Sequence, residues 1–224
     1  MANFSPAFRV TGVKAVAFDL DDTLFDRRSA FQKLLENWLG APEVAAALPE
    51  ILAHDQDGRT PRREFLGWLA SRFPALSGDL HHRFRHEFTT HIVPDPAALE
   101  LLAALKKAAL PLALLSNGAA AFQLAKLRAA QAASFFSKSH LLFSSSLGLA
   151  KPHPHAFAAL ATRLALPPHE ILFVGDDPLR DIAGARSAGF QTCLLARRPG
   201  RTADDSPSIA SLTGLIPLLN LLPG

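Results

Sequence analysis

The run Val13-Lys14-Ala15-Val16-Ala17-Phe18-Asp19-Leu20-Asp21-Asp22-Thr23-Leu24 drives an apolar segment straight into an acidic cluster. Only Lys14, near its start, interrupts the apolar part, and its Val and Phe content suits a buried strand over 13–18. Similar segments recur at 110–115, 141–143, 171–174 and 190–195. Between them, at 97–109, 119–130, 155–166 and 178–188, the chain carries helical patterns. Pro178 suits the first turn of the last of these, and Gly189 its C-terminal cap. Strands separated by helices of such length specify a three-layer α/β core with a mostly parallel sheet covered on both faces.

Residues 25–94 break this rhythm. Helical patterns occupy 30–39, 42–52, 61–73 and 77–88, and no strand stands among them. The segment is longer than a plain crossover requires. It is expected to form a small helical cap, inserted after the first strand and set above the carboxyl edge of the sheet. The core would then comprise 1–24 and 95–224. Residues 197–207 are polar, with Pro, Gly and Asp, and read as a loop; 211–222 suits a short closing helix.

The bulk numbers exclude several classes. A chain of 224 residues, 49% apolar and 19% charged, is that of a globular protein of one medium domain with an insertion. No uninterrupted apolar stretch reaches the length of a membrane span. The N-terminus lacks the apolar run and small-residue cleavage site of a signal peptide. Cys193 is the only cysteine, which excludes an internal disulfide framework and a thiolate zinc cluster. It is expected to be a buried thiol, and a cytoplasmic location follows as the default. The net charge of +3 is modest and its basic residues are scattered. The pairs Arg27-Arg28, Arg62-Arg63, Lys106-Lys107 and Arg197-Arg198 are expected on a solvated surface, and no nucleic-acid partner is expected. Periodicity carries no signal for oligomeric state.

The chemistry concentrates at strand ends. Asp19 and Asp21 lie two apart just beyond the first strand, where an open α/β sheet presents its ligand crevice, and can face the same side. Carboxylates so gathered repel one another, and a Mg2+ ion relieves that repulsion with oxygen ligands. Gly175-Asp176-Asp177-Pro178-Leu179-Arg180-Asp181 follows the segment 171–174 and can bring further carboxylates to the same crevice. Ser116-Asn117-Gly118 ends another strand, offering a hydroxyl, an amide and backbone N–H groups to phosphate oxygens. Lys151, before Pro152, adds a cation able to neutralise a nucleophile and a transferring phosphoryl group.

With these residues in order, the chain resembles the haloacid dehalogenase-like hydrolase superfamily. Phe18-Asp19-Leu20-Asp21-Asp22-Thr23-Leu24 is similar to its first motif, Ser116 to its second-motif hydroxyl, Lys151 to its third-motif lysine, and Gly175-Asp176 with Asp181 to its acidic fourth motif. The insertion resembles the helical cap, of C1 type, found in phosphoglycolate-phosphatase-like and nucleotidase-like members. The resemblance implies a Rossmann-like core and a Mg2+-dependent phosphatase acting on a small phosphorylated metabolite. It casts Asp19 as a nucleophile forming an aspartyl-phosphate and Asp21 as general acid and base. Lys151 would stabilise charge and Ser116 would bind the phosphoryl group. Mg2+ would be held by Asp19, the Asp21 backbone carbonyl and Asp176. Asp181 would orient Lys151 or metal-bound water, Thr23 would hold the loop near Asp21, and Asn117, Gly118 and Asp177 would support. Arg27, Arg28, Lys33, His81, His82, His86 and His91 are candidate substrate contacts in the cap. Asp21 disfavours dehalogenation, because a departing halide needs no proton. A mutase-type phosphotransferase shares the motifs and differs in releasing no free phosphate, while a non-catalytic binding module would not need them.

Overall fold

The computed structural model describes residues 10–198, 200, 202 and 206–221. Six parallel strands form one sheet: β1 (Ala15–Phe18), β2 (Leu112–Ser116), β3 (Leu141–Phe143), β4 (Ile171–Gly175), β5 (Gln191–Leu195) and β6 (Ser208–Ile209). Their order is β3-β2-β1-β4-β5-β6. The chain therefore steps outward from β1 to β3, then crosses back to place β4 on the other side of β1. Such a reversal opens a crevice at the carboxyl ends of the two strands it separates. The core is a Rossmann-like parallel sheet with surrounding helices.

The chain divides into two compact units, Met1–Phe25 with Pro94–Gly224, and Asp26–Val93. The second is helical: α1 (Arg27–Leu39), α2 (Ala41–Asp55), α3 (Arg62–Arg72) and α4 (Leu80–Glu87). Asp26 and Asp79 cap α1 and α4 by accepting from the amides of Ser29 and His82, at 2.9 and 3.0 Å. Phe31 meets Phe65 and Phe84 edge-on, with ring centres 5.6 and 6.3 Å apart. Beneath them the Asp55 carboxylate, fully buried, accepts from Arg27 at 2.8 and 3.1 Å and from Arg62 at 3.0 Å. Burial pushes the Asp55 carboxyl up, but the guanidinium groups of Arg27 and Arg62 outweigh it and hold it below the usual carboxylate range.

In the first unit α5 (Pro96–Lys107), α6 (Ala120–Ala129), α7 (Ser144–Leu147), α8 (Pro154–Leu164), α9 (Gly184–Ser187) and α10 (Leu215–Leu218) follow the strands. Ala15, Ala17, Ala113, Leu115, Ile171 and Phe173 pack on one face with Phe157 and Leu160 of α8 and Ala185 of α9. The alternate residues Val16, Phe18, Leu114, Leu172 and Val174 are equally buried on the other face, Phe18 edge-on to Phe136. Burial on both faces is why these strands read as unbroken apolar runs rather than alternating ones.

Four elements depart from the sequence reading, one of them α7, which no pattern at 144–147 anticipates. The segment 178–188 is not one α-helix but a π-helical turn, Pro178–Ala183, running into α9. The closing helix shrinks to a 3-10 turn, Leu212–Gly214, and α10. The strand β6 was not anticipated, since two residues carry no period. Residues 1–9, 199, 201, 203–205 and 222–224, which share in the leader, loop and closing-helix readings, lie outside the described residues.

Candidate active site

The crevice forms where β1 and β4 run side by side. The amide of Asp19, first residue past β1, donates to the Val174 carbonyl of β4 at 2.9 Å, which locks the two strand ends together. Gly175 closes β4 and Asp176 follows it. The turn over Pro178–Ala183 then carries Asp181 back toward β4. A methyl group at Gly175 would stand 2.5 Å from the Asp181 Cβ, so only glycine admits this approach.

Lys151 enters from the segment before α8, next to a cis peptide with Pro152. Its Nζ donates to Asp19 Oδ1 at 2.6 Å and Asp181 Oδ1 at 2.7 Å, all three side chains being buried. Burial works against the Lys151 ammonium, yet the Asp181 and Asp19 carboxylates overcome it and raise its pKa above the usual lysine value. Asp19 is itself pushed up to about 7, first by burial, with Lys151 pulling it down and the charges of Asp181 and Asp21 pushing it up. Asp19, Asp176 and Asp181 present carboxylate oxygens within 4.8 Å of one another. A buried all-oxygen cluster in which the negative charges outnumber the lysine is a donor set that fits a hard divalent cation such as Mg2+.

The remaining sequence-designated residues fall around this centre. Ser116 ends β2, buried, with its Oγ accepting from Gln123 Nε2 at 2.6 Å. Asn117 does not offer its amide to the crevice: Oδ1 accepts from the Lys151 amide at 2.8 Å and Nδ2 donates to the Lys151 carbonyl at 2.9 Å. This reciprocal pair fixes the backbone that carries the lysine. The Gly118 N–H, expected to face phosphate, is spent on Ser144 Oγ at 2.8 Å. Asp177 caps the π-helical turn, accepting from the amides of Leu179 and Arg180 at 2.9 and 3.0 Å, and donates its own amide to Asp181 Oδ2 at 3.0 Å.

The hydroxyl of Thr23 is fully buried with no hydrogen-bond partner among the described residues, so none of these ties it to the loop. Arg197 holds the loop instead. It donates to the carbonyls of Asp22 and Thr23, at 3.1 and 2.7 Å, and pairs with Asp95. Arg198 pairs with the Asp22 carboxylate at 2.8 Å. Asp22 sits at a positive φ of 61°, a conformation this pairing helps to hold.

Two of the basic pairs expected on a solvated surface are thus corrected. Arg197 and Arg198 tie the loop after β1, and Arg27 is buried against Asp55, because a guanidinium can satisfy several acceptors at once. That engagement gives Arg27 a structural task in place of the substrate contact proposed from sequence. Arg28 is half-buried, and Lys33, His81, His82 and His86 are exposed.

Sequence reasoning missed Gln123 and Lys126. Both lie on α6 and reach Asp21: Lys126 Nζ donates to its two oxygens at 2.9 and 2.8 Å, and Gln123 Nε2 donates to Oδ2 at 3.2 Å. A faint signal was present. They are three apart and share a helix face with buried Leu127, so polar residues occupy a buried stripe directly after Ser116-Asn117-Gly118.

The family model of the haloacid dehalogenase-like hydrolases matches residues 13–189, and the chain belongs to that family. It is 29% identical over 211 residues to a glyceraldehyde 3-phosphate phosphatase of Methanopyrus kandleri, covering 87% of this chain and 88% of that one. Among solved structures it resembles the magnesium-bound HAD-hydrolase YfnB of Bacillus subtilis, with a TM-score of 0.71 at 21% identity over 93% of this chain and 99% of that one. It also resembles the L-2-haloacid dehalogenase of Xanthobacter autotrophicus, with a TM-score of 0.73 at 22% identity over 94% of this chain and 100% of that one.

Proposed function

We propose that this haloacid dehalogenase-like hydrolase is a phosphatase that cleaves a small phosphate monoester by way of an aspartyl-phosphate on Asp19. The observation that carries the reading is the Lys151 ammonium, bridging Asp19 and Asp181 beside Asp176, with Asp21 two residues along the same loop. A carboxylate oxygen of Asp19 bonds to phosphorus as the ester P–O bond breaks. Asp21 gives its proton to the departing oxygen, then takes a proton from the water that attacks the phosphorus. That second attack breaks the bond to Asp19 and releases inorganic phosphate. Lys151 holds positive charge where negative charge builds up, and Ser116 receives a phosphoryl oxygen.

Asp19, Asp176 and the Asp21 backbone carbonyl would hold Mg2+, which when bound would supply positive charge beside the Asp19 carboxylate and the phosphoryl oxygens. Asp181, engaged by Lys151 and by the Asp177 amide, orients that lysine. Dehalogenases share the fold, so fold does not choose the reaction; Asp21 does, since only an oxygen leaving group uses its proton. The helical unit is the cap in this reading, with Arg28 its candidate substrate contact. The phosphatase relative supports a phosphorylated metabolite of few carbons. The lone, buried thiol of Cys193 suits a cytoplasmic setting.

Phosphate release from a panel of small esters, with and without Mg2+, tests the proposal against Asp19→Asn. The expected result is Mg2+-dependent release that the substitution abolishes. Folded wild-type protein that releases none, or an Asp19→Asn variant that releases as much, would overturn it. Isomerisation of a sugar phosphate without release would identify a mutase instead.

A further inference from the structure

Asp21 has to pass a proton in one direction and then in the other, so its carboxylate must stay within hydrogen-bond reach of two different oxygens. Its side chain is a quarter exposed and stands on a loop, which by itself leaves several rotamers open. The helix α6 removes that freedom. Lys126 Nζ grips both carboxylate oxygens, at 2.9 and 2.8 Å. Gln123 Nε2 reaches Asp21 Oδ2 at 3.2 Å, Ser116 Oγ at 2.6 Å and the Asn117 carbonyl at 3.1 Å. One side-chain amide thereby joins the acid/base loop to the phosphoryl-binding end of β2.

These two residues are expensive to keep where they are. Gln123 is 1% and Lys126 5% exposed, and a buried ammonium loses both its hydration and its rotamer freedom. An apolar residue would fill the same stripe of α6 at no such cost. The Lys126 ammonium also lies 4.7 Å from the Phe122 ring centre, which adds to its support. Gly118, at φ 135°, makes room for the arrangement: a Cβ there would stand 3.2 Å from the Gln123 side chain. The loop after β2 is therefore shaped around the glutamine.

Resting on the phosphatase reading, we infer that Lys126 and Gln123 are positioning residues that fix the Asp21 carboxylate for proton transfer and couple it to Ser116. Neither touches the reacting phosphorus; Lys126 acts through Asp21, and Gln123 through Asp21 and Ser116. Lys126→Met keeps the length of the side chain and removes the charge. On an alkyl phosphate it should lower kcat about 10- to 100-fold with KM nearly unchanged. The loss should be smaller on p-nitrophenyl phosphate, whose leaving group departs without a proton. In an Asp21→Asn background the same substitution should alter p-nitrophenyl phosphate turnover by less than about twofold, because the group it positions is gone. Gln123→Met, as a second variant, should show the same pattern to a lesser degree, with thermal melting confirming that each variant is folded.

Equal losses from Lys126→Met in both backgrounds, or a raised KM with kcat intact, would overturn the inference, the latter by making Lys126 a substrate ligand. Wild-type protein active and Lys126→Met unchanged would sink the inference alone. Wild-type protein inert toward every ester would sink the phosphatase reading and the inference with it.

Discussion

Gly175→Ala is a methyl group placed where the site has no room for one. Its Cβ would stand 2.5 Å from the Asp181 Cβ, and closer still to the carboxylate. Ordinary contact between such atoms needs about 3.5 Å. Asp181 or the end of β4 must therefore retreat by about 1 Å. Asp181 cannot do so and keep its bonds to Lys151 at 2.7 Å and to the Asp177 amide at 3.0 Å. The lysine would then stand off its position against Asp19. A misplacement of about 1 Å in a catalytic constellation costs up to about 100-fold. The expected result is a kcat on a small alkyl phosphate lowered about 100-fold. Gly67→Ala is the matched control. That position lies inside α3, exposed, with nothing within 4 Å of an added Cβ. It should leave turnover unchanged and raise stability by up to about 1 kcal/mol through helix propensity. Turnover of Gly175→Ala within about threefold of wild type would refute the reasoning, because Asp181 would then have absorbed the methyl group without disturbing Lys151.

Asp55→Ala removes the buried anion that Arg27 and Arg62 share, which should cost about 3–5 kcal/mol in urea unfolding. Arg27→Met with Asp55→Leu should recover most of that loss, and a double variant as unstable as the single one would count against the assignment. The Asp55 carboxyl is held below its ordinary value, so its contribution is complete above the unfolded pKa, about 3.9, and disappears as pH falls through the lower folded value. The gap in melting temperature between wild type and Asp55→Ala should therefore hold from neutral pH down to about 4 and close below it. Burial pushes the Cys193 thiol up to about 12, so thiol reagents at neutral pH should label the protein only after denaturant is added. Rapid labelling of the native protein would contradict the buried setting of β5.

Much of the fold was legible because buried parallel strands advertise themselves. β1 to β4 are largely apolar, buried runs, and 141–143 is matched to the residue. The segment 178–188 was misread because a proline start and a glycine stop look alike around an α-helix and a π-helical turn; the difference lies in how Asp181 must be delivered to Gly175. The acidic pieces of the site were legible because their members are close in sequence. Lys151 was legible too, through its place in the order of motifs, although it meets Asp19 across 132 positions; Lys126, which meets Asp21 across 105, was not. Arg27 and Arg197 were misjudged for a related reason, since a sequence shows that a residue is charged without showing which acceptor it will meet.

By itself the sequence determined where most strands and helices form, that carboxylates stand at the ends of two strands, and that a lysine and a hydroxyl are available elsewhere. These follow from short-range sterics, burial period and local spacing. Only the tertiary structure decided that β4 lies against β1, which sets Asp176 and Asp181 beside Asp19 and lets one ammonium serve two carboxylates. Only it turned the buried stripe of α6 toward Asp21. Such pairings depend on strand order and on which helix face finds the sheet, and those are settled by the packing of the whole core rather than by any one segment.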